Sequence, residues 1–415
     1  MVQLKKQIHI QFTHVMKHSY YLILLVLLIL ISINCVDLAK SKTVLDADAQ
    51  NYVLFAKSMS FLFDTQMREP VWIWLVRLFM TIFSDPDRAV KCLGIVLFIL
   101  TNVVLFLLVS KIFRSPWSGI LAVIFFGLNP YLQDLAARGL RDNAFNLLTL
   151  TTSLILYTLN ARRPLWWTLL ILTVATFSLM GVRINSFLPL LIVYPISFYR
   201  SGIPVKWSFV PIVLSLIFIT PYFLYCKEKF QDPLYSANHH AKWWRNHEFV
   251  RIKNVPCTGC PTLKEMQERG GYEGGPVTTF EYVFKMRPLK DLISNTISGY
   301  LYMFLPPYKW LFKIFHMKPN SNVFNRTLSS TYFPVHWFYF LGLFSLFFFD
   351  FYLIFLLPIA ILNLIPFTVS LGMDERIFTF VSPYMSIVAV LGVLVLLNFI
   401  KKIYRIRGTR RAVLC

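Results

Sequence analysis

Long apolar runs joined by short polar connections dominate this sequence. They fall at 20–36, 89–112, 117–132, 144–159, 166–181, 184–199, 209–226, 335–349, 351–372 and 377–400. A helix needs about 20 apolar residues to cross a bilayer, so several runs sit at the short end of the spanning range. Lipid offers the backbone no hydrogen-bonding partners, which leaves helices as the economical way to cross. The pattern predicts an all-α polytopic membrane protein with about ten transmembrane helices. Between the first two runs, Tyr52, Phe55, Ala56, Met59 and Phe63 recur at helical spacing. They predict an amphipathic helix lying on the membrane. Arg68-Glu69-Pro70 then breaks the chain, and the apolar stretch 71–83 is too short to span. It reads as a second juxtamembrane helix. The segment 296–315 is interrupted by Pro306-Pro307 and carries Lys309 and Lys313, so it reads as re-entrant or interfacial.

Basic residues in the short connections set the orientation. Lys111 with Arg114, Arg162 with Arg163, and Arg200 with Lys206 lie in alternate connections, and Lys401, Lys402, Arg405, Arg407, Arg410 and Arg411 mark the tail. An even number of spans puts all of these on the cytoplasmic side with both termini. Residues 37–88, 227–295 and 372–376 then face the exported side. Lys5, Lys6 and Lys17 precede the first apolar run, and no small-residue cleavage site follows it, so the first helix is expected to remain as a span. The organisation expected is an N-terminal transmembrane module, 1–226, whose first exported loop is 37–88. An exported cap loop, 227–298, and a C-terminal transmembrane module with a basic tail, 299–415, complete it.

Composition agrees: 56% of residues are hydrophobic and only 15% charged, against about 25% charged in soluble domains. The formal charge of +21 could point to nucleic acid. No separate basic soluble domain exists to bind it, and positive-inside anchors with a surface facing anionic headgroups account for the charge. Cys35, Cys92 and Cys226 fall in or beside apolar runs and read as small apolar residues. Cys257 and Cys260 have the spacing of a local disulfide or half a zinc site, with His239, His240 and His247 the nearby candidates to complete it. Trp243-Trp244 suits an interfacial or sugar-stacking platform, and Asn325 opens a glycosylation sequon.

Against this background Asp46 and Asp48 stand out, about ten residues beyond the first apolar run in a chain poor in carboxylates. Two readings compete: a catalytic carboxylate pair, or a helix N-cap satisfying backbone amides. Their Asp-x-Asp spacing is also that of a metal motif. Arg68, Arg138, Arg141, Arg183 and Arg376 all fall at expected exported ends of spans or loops. Planar guanidinium groups there suit bidentate phosphate binding, and interfacial snorkelling is the competing role. Arg183 joins two apolar runs with almost no polar loop, so its charge is expected to face the bundle interior or a cavity. Glu69 and Asp142 can hold these arginines in place or bind a substrate, ion pairing being the favoured role. Glu375, beside Arg376, poses the same choice against a bare turn.

The order of these features resembles the GT-C superfamily of polytopic glycosyltransferases, in particular bacterial transferases related to protein mannosyltransferases and to aminoarabinose transferases of lipid A. The resemblance rests on Asp48, Tyr52 and Ala56 after the first span, Arg68-Glu69-Pro70, Arg141-Asp142-Asn143, Arg183 to Pro195, and Glu375-Arg376 before Pro383-Tyr384. The chain departs from the family pattern at Asp48-Ala49, where Asp-Glu is frequent, and at Arg376-Ile377-Phe378, where Arg-Tyr-Arg is frequent.

The resemblance implies a membrane glycosyltransferase of the cytoplasmic membrane with its active site on the exported face. The donor would be a polyprenyl-phosphate sugar, and the acceptor an envelope lipid, glycan or protein. Transfer with inversion needs a carboxylate general base, with Asp48 the first choice and Asp46 the second. The five arginines would bind the donor phosphate, and Tyr52, Glu69, Asp142 and Glu375 would position substrates. The branch it resembles generally works without a metal, so no cofactor is expected. Two alternatives remain: a flippase of lipid-linked sugars, and an O-antigen ligase or polymerase using His239, His240 and Arg245.

Overall fold

The computed structural model describes residues 2–42, 44–161, 164–238, 333–346 and 378–413. These residues form helices and contain no strand. We number the helices α1 (Val2–Ser41), α2 (Ala47–Ser58), α3 (Pro70–Ile82), α4 (Pro86–Ile112), α5 (Pro116–Gly127), α6 (Pro130–Ala137), α7 (Asp142–Tyr157), α8 (Leu165–Met180), α9 (Phe187–Arg200), α10 (Val210–Phe230), α11 (Phe333–Leu346) and α12 (Phe378–Val413). The cap loop beyond residue 238, the 296–315 element, the 351–372 run, Glu375, Arg376, Cys257, Cys260, Trp243, Trp244 and the sequon lie outside the described residues.

Among the described residues four helical segments are long and apolar enough to cross a membrane: Ser19–Ser41, Pro86–Ile112, Val205–Phe230 and Thr379–Ile403. A fifth is reached if α5 and α6, bent by 67°, count as one broken span. This tally covers the described residues alone and does not confirm the expected ten. The runs at 144–159, 166–181 and 184–199 do form helices, but α7 and α8 have 16 residues and α9 has 14. At about 1.5 Å per residue, 16 residues reach roughly 24 Å, less than the hydrocarbon thickness.

The expected continuous span at 117–132 breaks at Asn129-Pro130. Proline cannot donate a helical hydrogen bond and pushes the preceding residue out of the helical region. The Asn129 side chain accepts from the amides of Tyr131 and Leu132 at 2.9 and 3.4 Å, capping α6. Gln133 donates to the Gly127 carbonyl at 2.8 Å, satisfying the end of α5. The sequence carried this signal as an Asn-Pro dipeptide inside an apolar run.

The amphipathic helix of the first loop is α2, but its buried stripe is Ala49, Tyr52, Val53 and Ala56. That stripe packs on α3 and α4, not on the membrane. Val71 and Trp72 at the start of α3 donate their amides to the Gly181 carbonyl at 2.8 and 3.4 Å. The open amides of one helix therefore find a carbonyl from the end of another. At the far side, Asn146 of α7 donates to the Thr379 carbonyl at 3.0 Å, and Ser153 and Tyr384 share a hydrogen bond of 3.1 Å, so α12 is tied to α7.

Candidate active site

Helix ends converge on the candidate residues. The starts of α2, α3 and α7 and the ends of α6 and α8 lie together, so residues far apart in sequence become neighbours. The turn between α6 and α7 is pressed against α4. A Cβ on Gly94 would meet the Ala136 carbonyl oxygen at 2.4 Å, and Gly139, with φ +68°, would place one 2.4 Å from Val90. Only glycine fits this approach, and it sets Arg138 and Arg141 on either side of the turn.

Asp46 is the N-cap of α2, its carboxylate accepting from the Asp48 amide at 3.1 Å. The capping role and the charge role coexist, because its other oxygen lies 3.7 Å from Arg138. Arg138 also pairs with Asp134 at 2.8 Å, and Lys42 reaches Asp134 at 2.6 Å. Asp48 accepts from Arg68 Nη2 at 3.2 Å, its side chain 27% exposed and that of Arg68 10%. The Arg68 guanidinium carbon lies 5.8 Å from the centre of the Tyr52 ring, and Trp72 packs edge-on against that ring at 5.5 Å. Tyr52, fully buried, thus backs the Arg68 guanidinium.

Two further pairs lie deeper. Glu69 caps the α3 start without bonding its own helix and instead pairs with Arg141, both side chains 5% exposed. Its other oxygen accepts the Ile184 amide at 3.3 Å. Burial works against the Arg141 charge, but Glu69 foremost, with Asp142 and Asp48 behind it, holds the guanidinium more firmly protonated than usual. Arg183 donates to Asp142 at 2.6 Å and faces the Phe380 and Phe145 rings at 4.4 and 5.6 Å. The expectation that Arg183 turns inward is met: it is buried.

A third cluster, absent from the sequence reading, anchors the loop between α2 and α3. Asp64 accepts from the Ser60 hydroxyl at 2.8 Å and the Tyr225 hydroxyl at 2.5 Å, with Lys229 3.7 Å away. Burial raises the affinity of the Asp64 carboxyl for a proton, but these donors and the lysine outweigh it and hold the carboxyl below its usual range. Of the other partners, Asp134 was readable four residues ahead of Arg138 on one helix face. Phe380, the Gly181 carbonyl and Tyr225 come from remote segments and had no local signal.

The site therefore has two layers. Glu69–Arg141 and Asp142–Arg183 are buried charge pairs that knit α3, α7 and the α8–α9 turn together. Asp48, Asp46 and Arg138 are more exposed and form a rim, to which the buried Arg68 is joined through Asp48. Both rim aspartates already face guanidinium groups, which disfavours a divalent cation between them. Among the described residues no group of three or more His, Cys, Asp or Glu side chains could hold a metal.

Comparison with known families is consistent with this geometry. No curated protein matches the chain. The dolichyl-phosphate-mannose-protein mannosyltransferase family matches residues 68–225, from Arg68 at the start of the α3 turn to Tyr225 in α10. The matched stretch holds both deep pairs and Arg138, while Asp46 and Asp48 precede it. The segment that builds the buried half of this site is thus similar to a membrane glycosyltransferase family of the GT-C type.

Proposed function

We propose that this protein transfers a sugar, with inversion, from a polyprenyl-phosphate carrier to an envelope lipid, glycan or protein on the exported face of the cytoplasmic membrane. The observation that carries this reading is the Asp48–Arg68 pair, an accessible carboxylate beside a guanidinium at the edge of a family-matched segment.

In the step proposed, the acceptor hydroxyl oxygen attacks the anomeric carbon and forms the new glycosidic bond. The bond from that carbon to the phosphate oxygen breaks, and polyprenyl phosphate leaves with the electron pair. The hydroxyl proton passes to Asp48 as general base. Charge grows on the departing phosphate, and fixed guanidinium groups stabilise it. Arg68, paired with Asp48, and the more exposed Arg138 are assigned this role. Arg141 and Arg183, each held by a buried carboxylate, fix the shape of the floor and contribute field. Tyr52 backs the Arg68 guanidinium, Glu69 and Asp142 hold the deep arginines, and Arg376 and Glu375 are assigned to donor phosphate binding and substrate positioning. The cap segment 227–298 is assigned to acceptor choice, and no metal takes part.

The test is transfer of labelled sugar from a polyprenyl-phosphate donor by membranes carrying the wild type, Asp48→Asn or Asp46→Asn. Loss with Asp48→Asn is expected, with activity unchanged by EDTA. Transfer retained by both single variants and the double variant would overturn the base assignment. Movement of the lipid-linked sugar across the bilayer without transfer would favour a flippase.

A further inference from the structure

Asp48 poses a chemical difficulty. A carboxylate beside a guanidinium is stabilised as the anion and takes up a proton reluctantly. A general base in that state works against its own partner, so something must loosen the pair before the proton moves. The details of the contact show what.

Arg68 meets Asp48 through one N–H, from Nη2, at 3.2 Å. Its Nε is buried and has no hydrogen-bond partner among the described residues. An unspent buried donor is costly and is relieved when an anion accepts from it. The Tyr52 ring, backed by Trp72, lies against the guanidinium. Such a ring allows a guanidinium to turn in its plane without losing the contact. Arg183 also faces aromatic rings, so what sets the deep pairs apart is their carboxylates: Glu69 and Asp142 are 5% and 2% exposed, against 27% for Asp48. Asp48 is the more open partner. The other charges around it stay committed. Asp46 caps the helix and faces Arg138, Arg138 is shared with Asp134, and Arg141 is held by Glu69.

We propose that Arg68 is an exchangeable positioning residue: the phosphate of the arriving donor draws it from Asp48, and the released carboxylate becomes competent as the base. This rests on the reading of Asp48 as base. A phosphate oxygen pair offers the guanidinium a bidentate partner, including Nε, in place of its single bond to Asp48. Base activation is thereby coupled to donor occupancy, and an acceptor arriving first meets a carboxylate still held by Arg68.

The exchange can be read without turnover. Full-length protein in nanodiscs is treated with a water-soluble carbodiimide and glycine ethyl ester at mildly acidic pH, and labelling of Asp48 is followed by peptide mass spectrometry. Undecaprenyl phosphate is expected to speed Asp48 labelling by about tenfold relative to Asp85, as withdrawal of an adjacent cation should. Inorganic phosphate serves as a second arm: a rise with both shows that the phosphate group suffices, and a rise with the lipid alone shows that the chain delivers it. Arg68→Gln is expected to label rapidly without lipid and to gain nothing on its addition, while Arg68→Lys retains a response. Unchanged or slower labelling of the wild type with undecaprenyl phosphate overturns the exchange, whatever the variants do. Wild-type transfer by Asp48→Asn overturns the base assignment instead.

Discussion

Glu69 and Arg141, 72 residues apart, form an ion pair in which each side chain is 5% exposed. The pair joins the N-terminal ends of α3 and α7, and neither partner has water to fall back on. Removing one charge strands the other. Glu69→Ala and Arg141→Ala are each expected to cost about 3–5 kcal/mol. Thermal unfolding in detergent would measure this, and a double variant less damaged than the sum of the singles would confirm the coupling.

Asp46 and Asp48 should separate by the kind of damage they cause. Asparagine caps helices about as well as aspartate, so Asp46→Asn should leave stability nearly unchanged. Asp46→Ala should lose about 0.5–2 kcal/mol through the missing cap. Asp48→Asn should leave the fold intact and lower the transfer rate by about 10²–10⁴-fold, the usual contribution of a general base. Unfolding curves and initial rates on the same preparations would show whether the two effects part in this way.

Gly139→Ala should act on the site from outside it. Its φ of +68° and the 2.4 Å approach to Val90 leave no room for a Cβ. Strain of about 1–2 kcal/mol is expected, together with displacement of Arg138 and Arg141. A lower unfolding temperature with reduced activity at permissive temperature is the outcome to look for; unchanged behaviour would mean the turn can shift freely.

The Asp64 cluster should make stability depend on acid. Its carboxyl is held below the usual range in the folded protein, so the unfolded chain takes up the proton first as pH falls. The stabilisation is complete above the unfolded value of about 3.9 and is lost as pH drops through the lower folded value. Tyr225→Phe removes one donor, and its unfolding temperature should therefore fall less steeply than the wild type's between about pH 5 and 3. A parallel slope for the two proteins would exclude Tyr225 as a source of the effect.

Much of this arrangement was legible before any coordinates. Pro70 and the short apolar stretch after it announced α3, and Asp46 with the following helical stripe announced α2. Arg183 between two apolar runs announced a buried charge. What remained hidden depended on contacts between distant segments. Helical spacing could not tell whether the α2 stripe faces lipid or protein, because both are apolar. Nor could it say which carboxylate serves which arginine, since Glu69 and Arg141 reveal their pairing only when α3 meets α7. The count of about ten spans is not confirmed among the described residues: the runs that form α7 to α9 give helices of only 14 to 16 residues.

The Gly181 carbonyl carries a consequence for biogenesis. It accepts the first amides of α3, and Ile184 beyond it donates to Glu69. The first loop is therefore chemically incomplete while the ribosome is still making α4 to α7. It closes only when the end of α8 has left the translocation machinery. A nascent chain arrested before residue 181 should hold α3 open to protease, and one arrested some tens of residues later should protect it.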